Sequence, residues 1–181
     1  MAMPQAKVWT LEELHSLPDD GNRYELLHGE LFVTPAPAPD HETIIARLNA
    51  LLVPFVMKHR LGLVFIGNPV IRRGESELIP DLLVRQPPPP RADWTSAQVP
   101  ILVVEVMSPA TRRRDREYKL PFYVGEAGVP EYWIVDGDYR SITVVHPGEL
   151  SITTTDRLLW SPREVDATLE INLVDVFGPS G

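Results

Sequence analysis

Cysteine is absent from the 181-residue chain, which excludes disulfide staples and thiolate metal ligands. No apolar run approaches the ~20 residues that a membrane-spanning helix needs. The opening Met1-Ala2-Met3-Pro4-Gln5-Ala6-Lys7 has no apolar stretch of the secretory kind, so a cytoplasmic location is expected. Positive charge is also short, with 17 Lys and Arg against 25 Asp and Glu for a net charge of −8. That balance argues against a protein that coats nucleic acid by neutralising phosphates, while leaving room for local basic patches. Proline is plentiful at 19 residues, but the prolines stand at segment borders and in the run 87–90, where they punctuate structure. One domain spanning residues 1–181 is expected, long enough to bury roughly 70% of its unfolded surface.

Within these bounds the chain reads as an α/β domain. Thr10 with Glu13 forms a capping-box signature for a short helix that ends by Pro18. His28-Gly29 between two apolar runs predicts a tight hairpin. Asp40 is positioned to cap a long helix with Ile44, Ile45, Leu48, Leu51, Leu52 and Phe55 on one stripe, and Pro54 should kink or shorten it. Residues 63–66 and 69–72 around Gly67-Asn68 predict a hairpin or bulged strand, and residues 78–84 read as one strand. Residues 129–136 and 141–146 predict a further hairpin. Residues 150–154, 170–173 and 174–177 close the fold. Pro121 sits inside a helical pattern, either in a first turn or at a kink.

The organising stretch is 101–107, Ile-Leu-Val-Val-Glu-Val-Met. An apolar run of this kind predicts a strand buried on both faces, and an ionised Glu105 within it needs a partner or a metal. Pro109 then prevents further ladder pairing and places Glu105 near the strand's end. Asp81 lies on a similar apolar segment, so pairing of the two would join two carboxylates. Such a pair suits Mg²⁺, although by geometry alone structural hydrogen bonding is the more frequent reason for it.

The order Pro80-Asp81, Glu105-Val106-Met107-Ser108-Pro109, Asp115 with Lys119, and Gly128-Val129-Pro130-Glu131-Tyr132-Trp133-Ile134-Val135-Asp136 resembles the Uma-type family described as putative restriction endonucleases. That family is a branch of the PD-(D/E)XK nuclease superfamily. The resemblance extends from Tyr24-Glu25-Leu26, Gly29-Glu30 and His41 to about residue 146. It implies a restriction endonuclease-like fold, a single α/β domain with a central mixed β-sheet flanked by helices. It also implies hydrolysis of nucleic-acid phosphodiesters, with DNA as the expected partner, Mg²⁺ (or Mn²⁺) as cofactor, and a homodimer as an open possibility. By resemblance Asp81 and Glu105 are the metal carboxylates.

The chain departs from the superfamily two residues after the acid, where the usual lysine is Met107. Lys119 is the nearest replacement. On a helix Asp115, Lys119 and Tyr123 share a face, and a lysine moved there could point at the metal. The competing reading is a surface Asp115–Lys119 pair contributing a few tenths of a kcal/mol. Glu30 is taken in preference to Glu25 as a further metal carboxylate, because alternation puts it on the face of Phe32. His41 is either a helix-start residue or a group that orients phosphate or water. The arginines of 112–116 are either a solvated face or a phosphate-contacting edge. Glu131 and Asp136 read as strand-end or turn residues, and Tyr132 and Trp133 as core. A domain that keeps this fold but cleaves nothing, binding nucleic acid or protein, is the alternative to a nuclease.

Overall fold

The computed structural model describes residues 7–108 and 112–179; Pro109 lies outside them. Helix α1 (Leu11–His15) begins with the expected capping box, Thr10 and Glu13 each satisfying the other's backbone N–H. Strands β1 (Arg23–Leu27) and β2 (Glu30–Thr34) follow as an antiparallel hairpin. Both turn residues, His28 and Gly29, have positive φ, the type I′ geometry that matches strand twist.

Helix α2 (Pro39–Lys58) buries Ile44, Ile45, Leu48, Leu52, Phe55 and Val56. It starts ahead of the expected Asp40 cap, with Ala38 at the N-cap and Pro39 in the first turn. Proline's fixed φ suits that position, and Asp40 then meets the positive end of the helix dipole. Pro54 does not cut the helix short. It lies on the exposed face, where water can take up the carbonyl that loses its N–H partner.

The chain then leaves for β3 (Leu63–Ile66) through Gly62, whose φ of 115° and closeness to Arg85 both require glycine: a Cβ there would lie 2.2 Å from the Arg85 carbonyl oxygen. The expected hairpin at Gly67-Asn68 is instead a passage between sheets. Strand β3 joins one sheet, whereas β4 (Ile71–Arg73) pairs with β5 (Ser76–Leu78) in another. The apolar run 78–84 is likewise two elements, β5 and β6 (Leu82–Arg85). Pro80, without an N–H, cannot carry a ladder across the break.

Strands β7 (Leu102–Met107), β8 (Tyr132–Asp136), β9 (Ser141–Val145) and β10 (Ile152–Thr154) complete a six-stranded mixed sheet of order β10-β9-β8-β7-β6-β3. Only the β7–β8 pairing is parallel among those described. A second sheet has the order β2-β1-β5-β4, and β11 (Arg157–Trp160) pairs with β12 (Leu169–Asn172) beside α4 (Leu173–Phe177).

The crossover from β7 to β8 contains a short helix, α3 (Arg112–Arg114), and two π-helical turns, Asp115–Lys119 and Pro121–Glu126. Pro121 resolves here as the start of a wide turn. The neighbouring Leu120 N–H reaches back five residues to Asp115 O, a spacing that tolerates the missing proline donor better than a regular α-turn.

Strand β7 is central and buried throughout. Its residues Leu102, Val104 and Val106 pack with α2 on one face, and Val103 and Met107 pack with Phe122 and Tyr123 on the other. Each fully buried Val or Leu contributes ~1.5–3 kcal/mol. By the period of two, Glu105 belongs to the second face.

Candidate active site

Two consequences of the sheet pattern build the site. Leu82 pairs with Val104 across β6 and β7, so one step further along the antiparallel register Asp81 stands opposite Glu105. Strand alternation then places both carboxylates on the face of the π-helical turns. Asp81 and Glu105 are 4% and 2% exposed.

Asp81 is held from three sides. Arg23 Nη1 donates to Oδ1 at 2.7 Å, the Val106 backbone N–H donates to Oδ2 at 2.8 Å, and His41 Nε2 lies 3.2 Å from Oδ2. Burial alone would raise its pKa, but the His41 hydrogen bond and the charges of Arg23, His41 and Lys119 hold it well below the usual carboxylate range. The same Asp81 partnership raises His41 above its ordinary value against the opposing effect of burial.

Glu105 Oε1 accepts from Lys119 Nζ and from the Tyr123 hydroxyl, both at 2.8 Å. Burial pushes the Glu105 carboxyl well above its ordinary value, with Lys119 the main opposing influence. Lys119 is 1% exposed, so the surface-pair reading fails. Its Nζ also lies 2.8 Å from Glu25 Oε1 and 3.9 Å from Asp115 Oδ1. Burial would lower the ammonium's pKa, but Glu105, Glu25 and Asp115 together hold it above the ordinary lysine value. The π-helical turns therefore do what a regular helix was expected to do, presenting Asp115, Lys119 and Tyr123 to one side.

Glu25 is the residue that sequence reasoning passed over in favour of Glu30. Glu30 is exposed beside the turn at the closed end of the hairpin, opposite Leu27, and away from this cluster. Glu25 is fully buried, and its Oε1 accepts the Ile79 backbone N–H at 2.9 Å. That N–H lies at the break between β5 and β6, where Pro80 interrupts pairing, and Arg23 Nη1 approaches the Ile79 carbonyl oxygen at 3.3 Å. Alternation back from core residue Leu27 puts Glu25 and Arg23 on one face, but Glu30, paired opposite Leu27, shares that face, so the choice between the two acids rests on burial.

The arginines of 112–116 divide. Arg112 pairs with Asp136 and Asp138, and Arg113 with Glu117 on the surface. Arg114 turns inward, donating to Thr34 Oγ1 at 2.7 Å with its Nη2 3.8 Å from Glu25. Glu131 accepts from Trp133 Nε1, and Tyr132 and Trp133 are core.

Asp81, Glu105, Lys119, Arg114 and His41 line one cavity of about 290 Å³ under residues 35–38. Among the described residues no group of three or more His, Cys, Asp or Glu side chains is arranged as a metal cage. A pair of carboxylates fits Mg²⁺, which commonly takes one or two and fills its shell with water and phosphate oxygens. Both described hydrogen bonds of Glu105 fall on Oε1, which leaves Oε2 as the oxygen to offer a cation. Four buried acids, Glu25, Asp81, Glu105 and Asp115, face Arg23, Arg114, Lys119 and His41, and a cation would favour the ionised form of Glu105, whose carboxyl pKa burial otherwise raises.

Fold and site together define a mixed α/β domain with paired carboxylates on adjacent strands and a buried lysine beside them. A family model matches residues 11–173, and the chain belongs to the Uma2 family, described as "Putative restriction endonuclease". It is similar to the crystal structure of a "putative nuclease belonging to DUF820" from Anabaena variabilis, with a TM-score of 0.74 at 20% identity over 93% of this chain and 97% of that one. At that identity the likeness is one of fold. An uncharacterized protein of Synechocystis sp. is 26% identical over 146 residues, 75% of each chain.

Proposed function

We propose that this chain is a metal-dependent nuclease that hydrolyses phosphodiester bonds of nucleic acid, with DNA as the expected polymer. The observation that carries the reading is the meeting of Asp81, Glu105 and Lys119, from three separate elements, at the wall of one cavity. The family description and the fold of the solved relative support it.

The proposed cofactor is Mg²⁺, with Mn²⁺ as a substitute, held by Asp81 and Glu105. When bound, such an ion polarises a phosphoryl oxygen and lowers the pKa of a water. Tyr123 and Lys119 fix the Glu105 carboxylate, and Arg23 and the Val106 N–H fix that of Asp81. Lys119 carries a permanent charge in a water-poor recess, where it would stabilise negative charge developing on the phosphoryl group. Arg114 faces the same cavity and would bind a neighbouring phosphate oxygen. One site of this kind cleaves one strand, so a homodimer enters the proposal only for cleavage of both strands of a duplex. The proposed place of action is the cytoplasm.

A second reading, a domain that binds without cleaving, is favoured by the bonds already made to both Asp81 oxygens. The test is incubation of plasmid and single-stranded substrates with Mg²⁺ or Mn²⁺, alongside thermal melts. The nuclease reading expects metal-dependent cleavage that Asp81→Ala and Glu105→Ala abolish. It also expects a metal-induced rise in melting temperature, since a ligand at 100 times its Kd stabilises the fold by about 2.7 kcal/mol. A wild type that neither cuts nor responds to metal would leave the silent domain.

A further inference from the structure

The shape and charge of the recess restrict what can enter it. The segment 35–38 crosses the site between β2 and α2, and Pro35 and Pro37, followed by Pro39, stiffen it into a standing roof. A second cavity of about 590 Å³ lies against the same segment, and the two share Arg23, Asp81, Pro35, Ala36 and Pro37. They therefore meet at the Arg23–Asp81 pair.

The second cavity differs from the first in its lining. Tyr24, Ile45, Ile66 and Val70 give it apolar walls, and the carboxylates of Asp19, Glu42, Glu77 and Asp81 outnumber Arg23, the Lys or Arg side chain among its described lining. Phosphate would be repelled there, whereas a neutral, flat base would be accommodated.

Among the described residues the Lys and Arg side chains lining the two cavities are Arg23, Arg114 and Lys119, and elsewhere Arg72, Arg112, Arg113 and Arg157 pair with acids. A duplex carries one charge per ~1.7 Å of axis and is gripped through many phosphate contacts. Such a track is missing among the described residues around the two cavities. The carboxylates, moreover, lie in a covered recess that a phosphate on the convex face of an intact duplex does not reach.

We propose, resting on the nuclease reading, that the substrate is a single-stranded segment or unpaired end of nucleic acid. Its scissile phosphate occupies the cavity of Asp81 and Glu105, and the base of the adjoining nucleotide occupies the second cavity across the 35–38 roof. The shared chemistry is an unpaired phosphodiester chain, whether of DNA or RNA.

The experiment uses the full chain and one labelled sequence in four forms: single-stranded DNA, single-stranded RNA, blunt duplex DNA, and duplex DNA with a single-stranded overhang, each with Mg²⁺ or Mn²⁺. Unpairing carries a free-energy cost, so at least one single strand and the overhang are expected to be cut at least ~10-fold faster than the duplex interior. Interior cutting of the blunt duplex at an equal rate would overturn the proposal and leave the nuclease reading standing. Binding of the same four probes, followed by fluorescence anisotropy, separates the two readings. Preference for the single strand without turnover keeps the substrate class and removes the nuclease, whereas equal or tighter duplex binding removes the substrate class. With Arg114 and Lys119 as the cations set toward phosphate, the slope of log K against log salt for single strands is expected at about −1.4, from ~0.7 per contact. Ala36→Trp, at an exposed position shared by both cavities, is expected to raise KM for the single strand while the melting temperature stays unchanged. Unchanged KM in that variant would count against passage beside residue 36.

Discussion

Lys119 Nζ stands 2.8 Å from Glu25 Oε1, joining a π-helical turn of the β7–β8 crossover to the first strand of the smaller sheet. The same ammonium bonds Glu105 at 2.8 Å, so one buried cation links the two sheets through their carboxylates.

Removing that cation strands both acids. Breaking a buried pair by deleting one partner costs about 3–5 kcal/mol, and Lys119→Met is expected to destabilise by that order in urea denaturation. Combining it with Glu25→Gln should recover part of the loss, because one of the uncompensated charges is gone. Strict additivity of the two single changes in a double-mutant cycle would show that the contact carries no coupling.

The Asp81–His41 contact sets a pH window in the metal-free protein. Asp81 is depressed below its ordinary 3.8, so its contribution is present above that pH and is lost as pH falls through the lower folded value. His41 is raised above 6.5, so its contribution is full below 6.5 and lost as pH rises through the folded value. Chemical denaturation across pH should show the alkaline decline vanish in His41→Asn, while the acid limb persists through Arg23. An unchanged alkaline limb in the variant would assign the decline to another group.

Arg85 is 2% exposed and lies over the Trp94 ring at 4.4 Å, with Nη2 donating to the Val70 carbonyl. Burial pushes its pKa down to about 10, and among the described residues no carboxylate forms an ion pair with it. Replacing a poorly compensated buried charge with an apolar chain of similar length is often neutral or stabilising. Arg85→Met is therefore expected to hold or raise the urea midpoint, and Arg85→Ala, which also removes the stacking, to lower it. A loss in Arg85→Met equal to that in Arg85→Ala would assign the stabilisation to the charge.

Gly62→Ala places a methyl group against the Arg85 carbonyl at a positive φ. Strain at such a backbone costs about 1–3 kcal/mol before the clash is counted. The expected result is a lower melting temperature with unchanged single-strand preference, since the turn is remote from the cavity lining.

Much of this molecule was legible in one dimension. The capping box of α1, the His28-Gly29 turn, the apolar stripe of α2 and the buried character of β7 follow from local chemistry and periodicity, which act over a few residues. Glu105 stood out because an acid in an apolar strand violates its surroundings. Lys119 was found because a helical passage repeats a face every turn, and the π-helical geometry preserved that relationship.

Other features depended on which strands became neighbours. The run 78–84 has no local mark telling a single strand from two strands in different sheets, and Pro80 supplies the break only once β1 and β7 compete for its two halves. Glu25 and Glu30 are both acids of one hairpin, and alternation alone serves either. Glu25 is buried because β1 lies between β2 and β5 and meets the Ile79 N–H and the Lys119 ammonium, whereas Glu30 stands beside the turn at the exposed closed end of the hairpin. The sequence by itself determined which side chains could carry the chemistry. The tertiary structure decided which carboxylates share a cation, because that depends on long-range strand order and the burial that follows from it.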